Sequence, residues 1–313
     1  MLDTINYQIL LVSNCILIAI IIVVWFMISA RKTQSFSHKP TDVKTFYDES
    51  TDKFLAVYGE IIQAFRTKNV GQYLDYTSKK IGLENHINVL DAGCGVGGPA
   101  IHFAKQFPHL KIDAVSISER QIEKANALIL ENQVQNQIQT HVLDYHLLAD
   151  KFPENTFDAM YFLESFGHSP SKEQLLEACL RVLKPGGKIY IKDLFRRICK
   201  TEWEQVRVNE ICEDINRAYQ YQIADLNQIL DIVRKNNLIL HFIGVPAVET
   251  TDFENLTISN DFQELFGIGK IDSWDDYIFP IDFYEILVEK PLIEERAKLH
   301  LYLLNNLGEK ASS

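Results

Sequence analysis

INVLDAGCGVGGPA, residues 87–100, decides the fold: an apolar run ends on Asp91 and passes straight into a turn with glycine at 93, 95, 97 and 98. Glycines cluster after a strand where backbone must approach a ligand closely, since a Cβ would fill the space and the turn calls for left-handed dihedrals. Outward from this turn the chain alternates. KIDAVSI, IQTHVLD, FDAMYFL and KIYIKDL read as strands, with helices expected between them over 99–106, 118–132 and 171–183; LILHFIGV and FYEILVEK supply two last strands. Ser118 with Gln121 and Ser171 with Gln174 have the spacing of capping boxes at two helix starts. The pattern predicts an α/β fold: a doubly wound, mostly parallel seven-stranded sheet of Rossmann-like type, with ligands at the strand carboxyl ends.

Composition narrows the function. The 313 residues hold 31 basic and 42 acidic side chains, a net charge of −11, so no cationic excess is available for nucleic acid. Five scattered cysteines form no C-x-x-C pair, and no His/Cys cluster has ligand spacing, so neither a disulfide framework nor a metal site is expected. Residues 9–30 form an uncharged run of 22, roughly 33 Å as a helix, followed at once by Arg31 and Lys32. That pattern predicts a single-pass membrane anchor over residues 1–30, with the catalytic part on the cytoplasmic side. Residues 31–45 read as a linker and 46–290 as one domain. Within it, 46–85 and 195–236 read as helical segments capping the sheet, and 291–313 as an amphipathic helix and tail.

Gly93, Gly95 and Gly98 also satisfy the dinucleotide spacing G-x-G-x-x-G, so the turn alone leaves NAD and S-adenosylmethionine open. Two details favour the latter. Asp91, two residues before the first glycine, complements a cationic amino acid and would repel a pyrophosphate. The second strand ends in Ser116-Ile117-Ser118, without the ribose-binding acid a dinucleotide site needs.

With DAGCGVGGPA, the S-I-S-x-x-Q turn, FPENTFDAMYFLESFGHSP and RVLKPGGKIYIKD, the chain resembles class I S-adenosylmethionine-dependent methyltransferases. Within that superfamily it is similar to the branch of sterol 24-C-, tocopherol and prenyl diphosphate C-methyltransferases. The resemblance implies that Asp91, Gly93, Cys94, Gly95 and Gly97 form the cofactor loop, that Ser116, Ile117 and Gln121 hold the ribose and adenine, and that Asp144 and Tyr145 border the adenine. It implies an active-site role for Glu164, with His168 beside it. Tyr47-Asp48-x-x-Thr51-Asp52 resembles the Y-D-x-x-T-D segment of sterol-type enzymes, although the aromatic-rich continuation of that family is replaced here by FLAVYG.

Tyr47, Tyr58, Tyr219 and Tyr221 are expected to line an acceptor cavity. The implied activity is methyl transfer to a lipophilic, sterol-, prenyl- or quinone-like acceptor, carbon slightly preferred. The alternative is O- or N-methylation of a small polar metabolite.

Overall fold

The computed structural model describes residues 37–61, 67, 69–247 and 278–292. Its centre is a seven-stranded sheet of β1 (Asn88–Ala92), β2 (Lys111–Ser116), β3 (Ile138–Val142), β4 (Phe157–Leu163), β5 (Leu183–Arg196), β6 (Ile239–Gly244) and β7 (Ile281–Glu289). The order is β3-β2-β1-β4-β5-β7-β6. The first five strands run parallel, and β7 lies antiparallel between β5 and β6.

Helices α1 (Pro40–Tyr58), α2 (Val70–Ile81), α3 (Gly98–Gln106), α4 (Glu119–Glu131), α5 (Leu148–Lys151), α6 (Lys172–Val182), α7 (Glu202–Tyr219) and α8 (Leu226–Lys235) surround the sheet. Strand side chains alternate between two cores, as a period of two requires. Val89, Ala159, Tyr161 and Tyr190 join α2, α3 and α4 on one face. Leu90, Met160, Phe162, Ile189 and Ile191 join α6 and α8 on the other. Apolar runs such as FDAMYFL are continuous because both faces of the strand are buried.

Two boundaries and the two capping boxes differ from expectation. Helix α1 starts at Pro40, inside the segment read as linker, because proline at the first helical position sacrifices no hydrogen bond. The segment read as inserted helices, 195–236, begins as strand, since β5 continues to Arg196. Ser118 and Ser171 cap their helices by accepting from the Gln121 and Gln174 amides, but neither glutamine returns a side-chain bond to close the box. Among the described residues no helix is long and apolar enough to cross a membrane. The anchor expected over 1–30 and the helix expected in 291–313 lie outside the described residues, apart from 291 and 292.

Candidate functional site

Four loops leave the carboxyl ends of β1 to β4 and meet around a cavity. It is lined by Asp91, Gly93, Cys94 and Gly95 after β1, by Ser116, Ile117 and Gln121 at β2, by Asp144, Tyr145 and His146 after β3, and by Glu164, Ser165 and His168 after β4. Pro40, Val43 and Tyr47 of α1 close one wall. The residues read from sequence as a cofactor site are therefore brought together, with one exception. Gly97 does not line the cavity; it is the left-handed residue from which α3 begins, at φ 83°.

The β1 loop is shaped by close approach. At Gly93, φ is 86° and a Cβ would lie 2.4 Å from Ser165 Cβ. Ser165 cannot withdraw freely, because its hydroxyl donates to the Ala92 carbonyl at 2.5 Å. Gly93→Ala thus combines overpacking with a left-handed alanine and is expected to destabilise by about 2–4 kcal/mol. A thermal melt checks this: a drop of roughly 5–10 °C is expected, and an unchanged midpoint would contradict it.

Asp91 is 3% exposed, and its Oδ2 has no hydrogen-bond partner among the described residues. Burial pushes its pKa up to about 7; the neighbouring Tyr161 hydroxyl opposes the shift without forming a well-aligned bond. A buried, unpartnered carboxyl at the cavity floor is a site made for a cationic group. Ser116 donates to Gln121 Oε1 at 2.7 Å, so the Gln121 side chain belongs to the cavity wall rather than to a capping box. Asp144 has its Oδ1 bound by the His146 amide and ring, at 2.9 and 2.7 Å. Burial opposes ionisation there, but those two bonds prevail and hold the carboxyl below its usual range.

Helix α1 is fastened over these loops by the Y-D-x-x-T-D segment. Asp48 accepts from the Ser118 hydroxyl at 2.6 Å and the Arg120 amide at 3.2 Å, while Asp52 pairs with Arg120 and Lys124. Tyr47 reaches the β4 loop. Because the Gln220 carbonyl 2.9 Å from His168 Nδ1 can only accept, that nitrogen carries the proton and Nε2 takes the Tyr47 O–H at 2.7 Å. Burial pushes the His168 pKa down to about 3.

Sequence reasoning missed the partner of Glu164. Lys192, fully buried in β5, donates its ammonium to Glu164 Oε1 and lies 5.7 Å from the Tyr73 ring centroid and 5.5 Å from that of Phe283. Alternation along β5 sends Lys192 to the Tyr73 face and Asp193 to the opposite face. There Asp193 accepts from the Tyr221 hydroxyl at 2.6 Å and the Gly167 amide at 3.0 Å. Glu164 itself is held at φ 58°, a strained value for a non-glycine residue and one that aims its side chain back at β5. The signal was available: a lysine and an aspartate inside an apolar strand are costly unless paired.

The cap tyrosines divide. Tyr47 lines the cavity. Tyr221 does not, but packs edge-on to His168 at 4.2 Å. Tyr58 stacks on Phe54 at 6.2 Å, and Tyr219 packs against the buried cluster of Val208 and Cys212; neither reaches the cavity lining. Helical spacing placed both in apolar packing, which is where aromatics at that period most often go.

Residues 89–187 match the family model described as a methyltransferase domain. A sterol 24-C-methyltransferase of Gibberella zeae is 31% identical over 154 residues, 47% of this chain and 40% of that protein. The chain thus aligns with well under half the length of that relative. Among solved structures, the [4+2]-cyclase SpnF superposes with a TM-score of 0.66 at 20% identity, over 82% of this chain and 98% of that one. A geranyl diphosphate C-methyltransferase from Streptomyces coelicolor A3(2) gives 0.57 at 15% identity, over 80% and 97%. These structural likenesses concern the fold, which serves a cyclase as well as methyltransferases. Residues 89–187 therefore carry a methyltransferase domain, and the loop chemistry and sheet order around them are similar to those of class I S-adenosylmethionine-dependent enzymes.

Proposed function

We propose that the protein transfers a methyl group from S-adenosylmethionine to a carbon of a lipophilic, sterol- or prenyl-like acceptor, and that its N-terminal apolar run holds it at a membrane. The observation that carries the proposal is that one cavity holds the buried Asp91 carboxyl, whose Oδ2 has no hydrogen-bond partner among the described residues, together with Glu164 and the Tyr47 ring.

The fit for the cofactor rests on Asp91 Oδ2. Asp91 would hold the amino group, the Gly93–Gly95 backbone would leave room for the methionine part, and Ser116, Gln121, Asp144 and Tyr145 would border the nucleoside. When bound, S-adenosylmethionine supplies an electrophilic methyl group.

The chain's own residues favour a carbon acceptor. A hydroxyl acceptor needs a base working near neutral pH, and His168 is a poor one, because burial disfavours its protonated form and its Nε2 is engaged by Tyr47. An alkene that gains a methyl group carries positive charge on carbon. That charge is favoured by a carboxylate and by aromatic faces, each face contributing about 0.5–2 kcal/mol. Glu164 supplies the first and Tyr47 can supply the second. Glu164 is also the carboxylate placed to take the proton such a cation loses.

Cofactor affinity should depend on pH with a definite sign. The Asp91 pKa of about 7 in the free protein falls when a cationic amino group arrives, so binding releases a proton below neutrality. Affinity is expected to be flat above about pH 7–8 and to weaken about tenfold per unit below pH 7. Calorimetric titrations between pH 5.5 and 8.5 check this, and an affinity independent of pH would contradict it.

Incubating the protein with methyl-labelled cofactor and a membrane lipid extract tests the acceptor class. Label in the organic phase supports a lipophilic acceptor; label appearing only in aqueous metabolites would favour a polar one.

A further inference from the structure

Glu164 opens the β4 loop in a conformation that its own side chain disfavours. Its φ of 58° lies in the left-handed region, and a glutamate stays there only when its surroundings fix it. Strand β5 holds it from both faces of the sheet. The Lys192 carbonyl accepts the Glu164 N–H at 2.8 Å, and the Lys192 ammonium binds the carboxylate on the Tyr73 face. From the opposite face, Asp193 reaches the Glu164 main chain through Tyr221. The Tyr221 hydroxyl donates to Asp193 Oδ1 at 2.6 Å and to the Glu164 carbonyl at 3.2 Å, one proton shared between two acceptors.

Tyr221 is itself fixed. Its side chain is 5% exposed, and its ring lies so close to Gly167 that a Cβ there would fall 1.8 Å from Cε1. On one side of it the Gln220 carbonyl takes the His168 Nδ1 proton at 2.9 Å; on the other the Gln222 amide donates to the Gly167 carbonyl at 2.8 Å. Asp193, 1% exposed, is anchored in turn by the Leu194 and Gly167 amides at 2.7 and 3.0 Å. The consecutive residues Gln220, Tyr221 and Gln222 thus bind the loop at His168, Glu164 and Gly167. Tyr221 does not line the cavity, so its influence on a bound acceptor has to pass through that loop.

We propose that Tyr221 is a positioning residue for methyl transfer: its hydroxyl, anchored on Asp193, holds the Glu164 main chain in the left-handed conformation that keeps the carboxylate at the cavity. The proposal rests on the role given to Glu164 in the function proposed above. Lys192 fixes the far end of that side chain, while the hydroxyl fixes the backbone from which it springs. Without the hydroxyl, the peptide after Glu164 is free to turn toward an ordinary conformation and carry the carboxylate with it. A displacement of about 1 Å at a reacting group costs up to about 10²-fold in rate, with no demand on how tightly the cofactor binds.

The test is turnover of methyl-labelled cofactor with a membrane lipid extract, for the full-length chain and for Tyr221→Phe, Glu164→Gln and the double variant, with cofactor affinity measured on the same samples. Tyr221→Phe keeps the ring and leaves Asp193 the Leu194 and Gly167 amides, so it is expected to fold. It should bind cofactor within about two-fold of the wild type and lose turnover by about 10–100-fold. In the Glu164→Gln background the same substitution should change turnover by less than about two-fold, because residues that act as a unit do not lose their contributions twice. Tyr221→para-aminophenylalanine, which keeps the ring and offers N–H donors to the same two acceptors, should restore turnover. If the phenylalanine variant does not fold, Tyr221→para-fluorophenylalanine takes its place, filling the volume of the hydroxyl without a donor. Wild-type turnover in Tyr221→Phe would overturn the proposal. So would equal losses in both backgrounds, or a loss of cofactor affinity, either of which makes Tyr221 a packing residue. Glu164→Gln with wild-type turnover, or no transfer by the unaltered protein, would instead remove the proposed function, and this proposal with it.

Discussion

Asp91→Ala is expected to fold normally and to lose cofactor affinity by about 10²–10³-fold, the cost of removing one partner of a buried charge pair. The two halves of this result have one cause. In the free protein the Asp91 carboxyl is buried, its Oδ2 lacks a partner among the described residues, and burial raises its pKa to about 7. Such a group is a liability for the empty fold, and replacing it with alanine relieves desolvation rather than breaking a bond. Its value appears only when a cation arrives. Calorimetry and a thermal melt on the same variant read both halves. Unchanged affinity would remove Asp91 from the cofactor site, and a large fall in melting temperature would make it a structural residue.

Glu164→Gln is expected to bind cofactor within a few-fold of the wild type and to lose turnover by about 10²–10⁴-fold, the usual worth of a positioned acid or base. The variant should fold, because Lys192, its pKa already lowered by burial, can shed its proton when the carboxylate is gone. The reverse truncation behaves differently. Lys192→Met removes the buried ammonium bound to a Glu164 carboxylate that is 8% exposed to solvent, at a cost of about 3–5 kcal/mol. The double variant Glu164→Gln/Lys192→Met should recover much of that loss. Unfolding midpoints of the three variants measure the coupling, and a Lys192→Met protein as stable as the wild type would mean that no ion pair holds Glu164. Turnover of Glu164→Gln equal to the wild type would exclude Glu164 from the chemistry.

The alternation of strands and helices, the position of the glycine turn and most of the cavity lining were legible in the sequence, because they rest on local signals. Asp91, Gly93 and Gly95 are adjacent in the chain, and the alternation of INVLDAG, KIDAVSI and FDAMYFL with helical stretches fixes where the loops must meet. What escaped depends on pairing between distant segments. Lys192 lies 28 residues from Glu164, and only the parallel register of β4 against β5 brings them together. Tyr219 and Tyr221 looked equivalent as neighbours in an aromatic stretch. The end of α7 at Tyr219 and the left-handed Gln220 after it turn them to different surroundings, one into the packing around Val208 and the other onto Asp193. Gln121 was ambiguous between helix cap and cavity, and the Ser116 hydroxyl decides it. Pro40, within the stretch read as a linker, instead starts the helix whose Tyr47 and Asp48 close the site.

The most direct measurement is carbon-13 NMR of the lipid-soluble product formed from cofactor bearing a ¹³C-labelled methyl group. A labelled methyl bonded to carbon in a sterol- or prenyl-type lipid is the expected result. A labelled methoxy or N-methyl signal, or no transfer by a protein that binds the cofactor, would contradict the assignment of this cavity to carbon methylation.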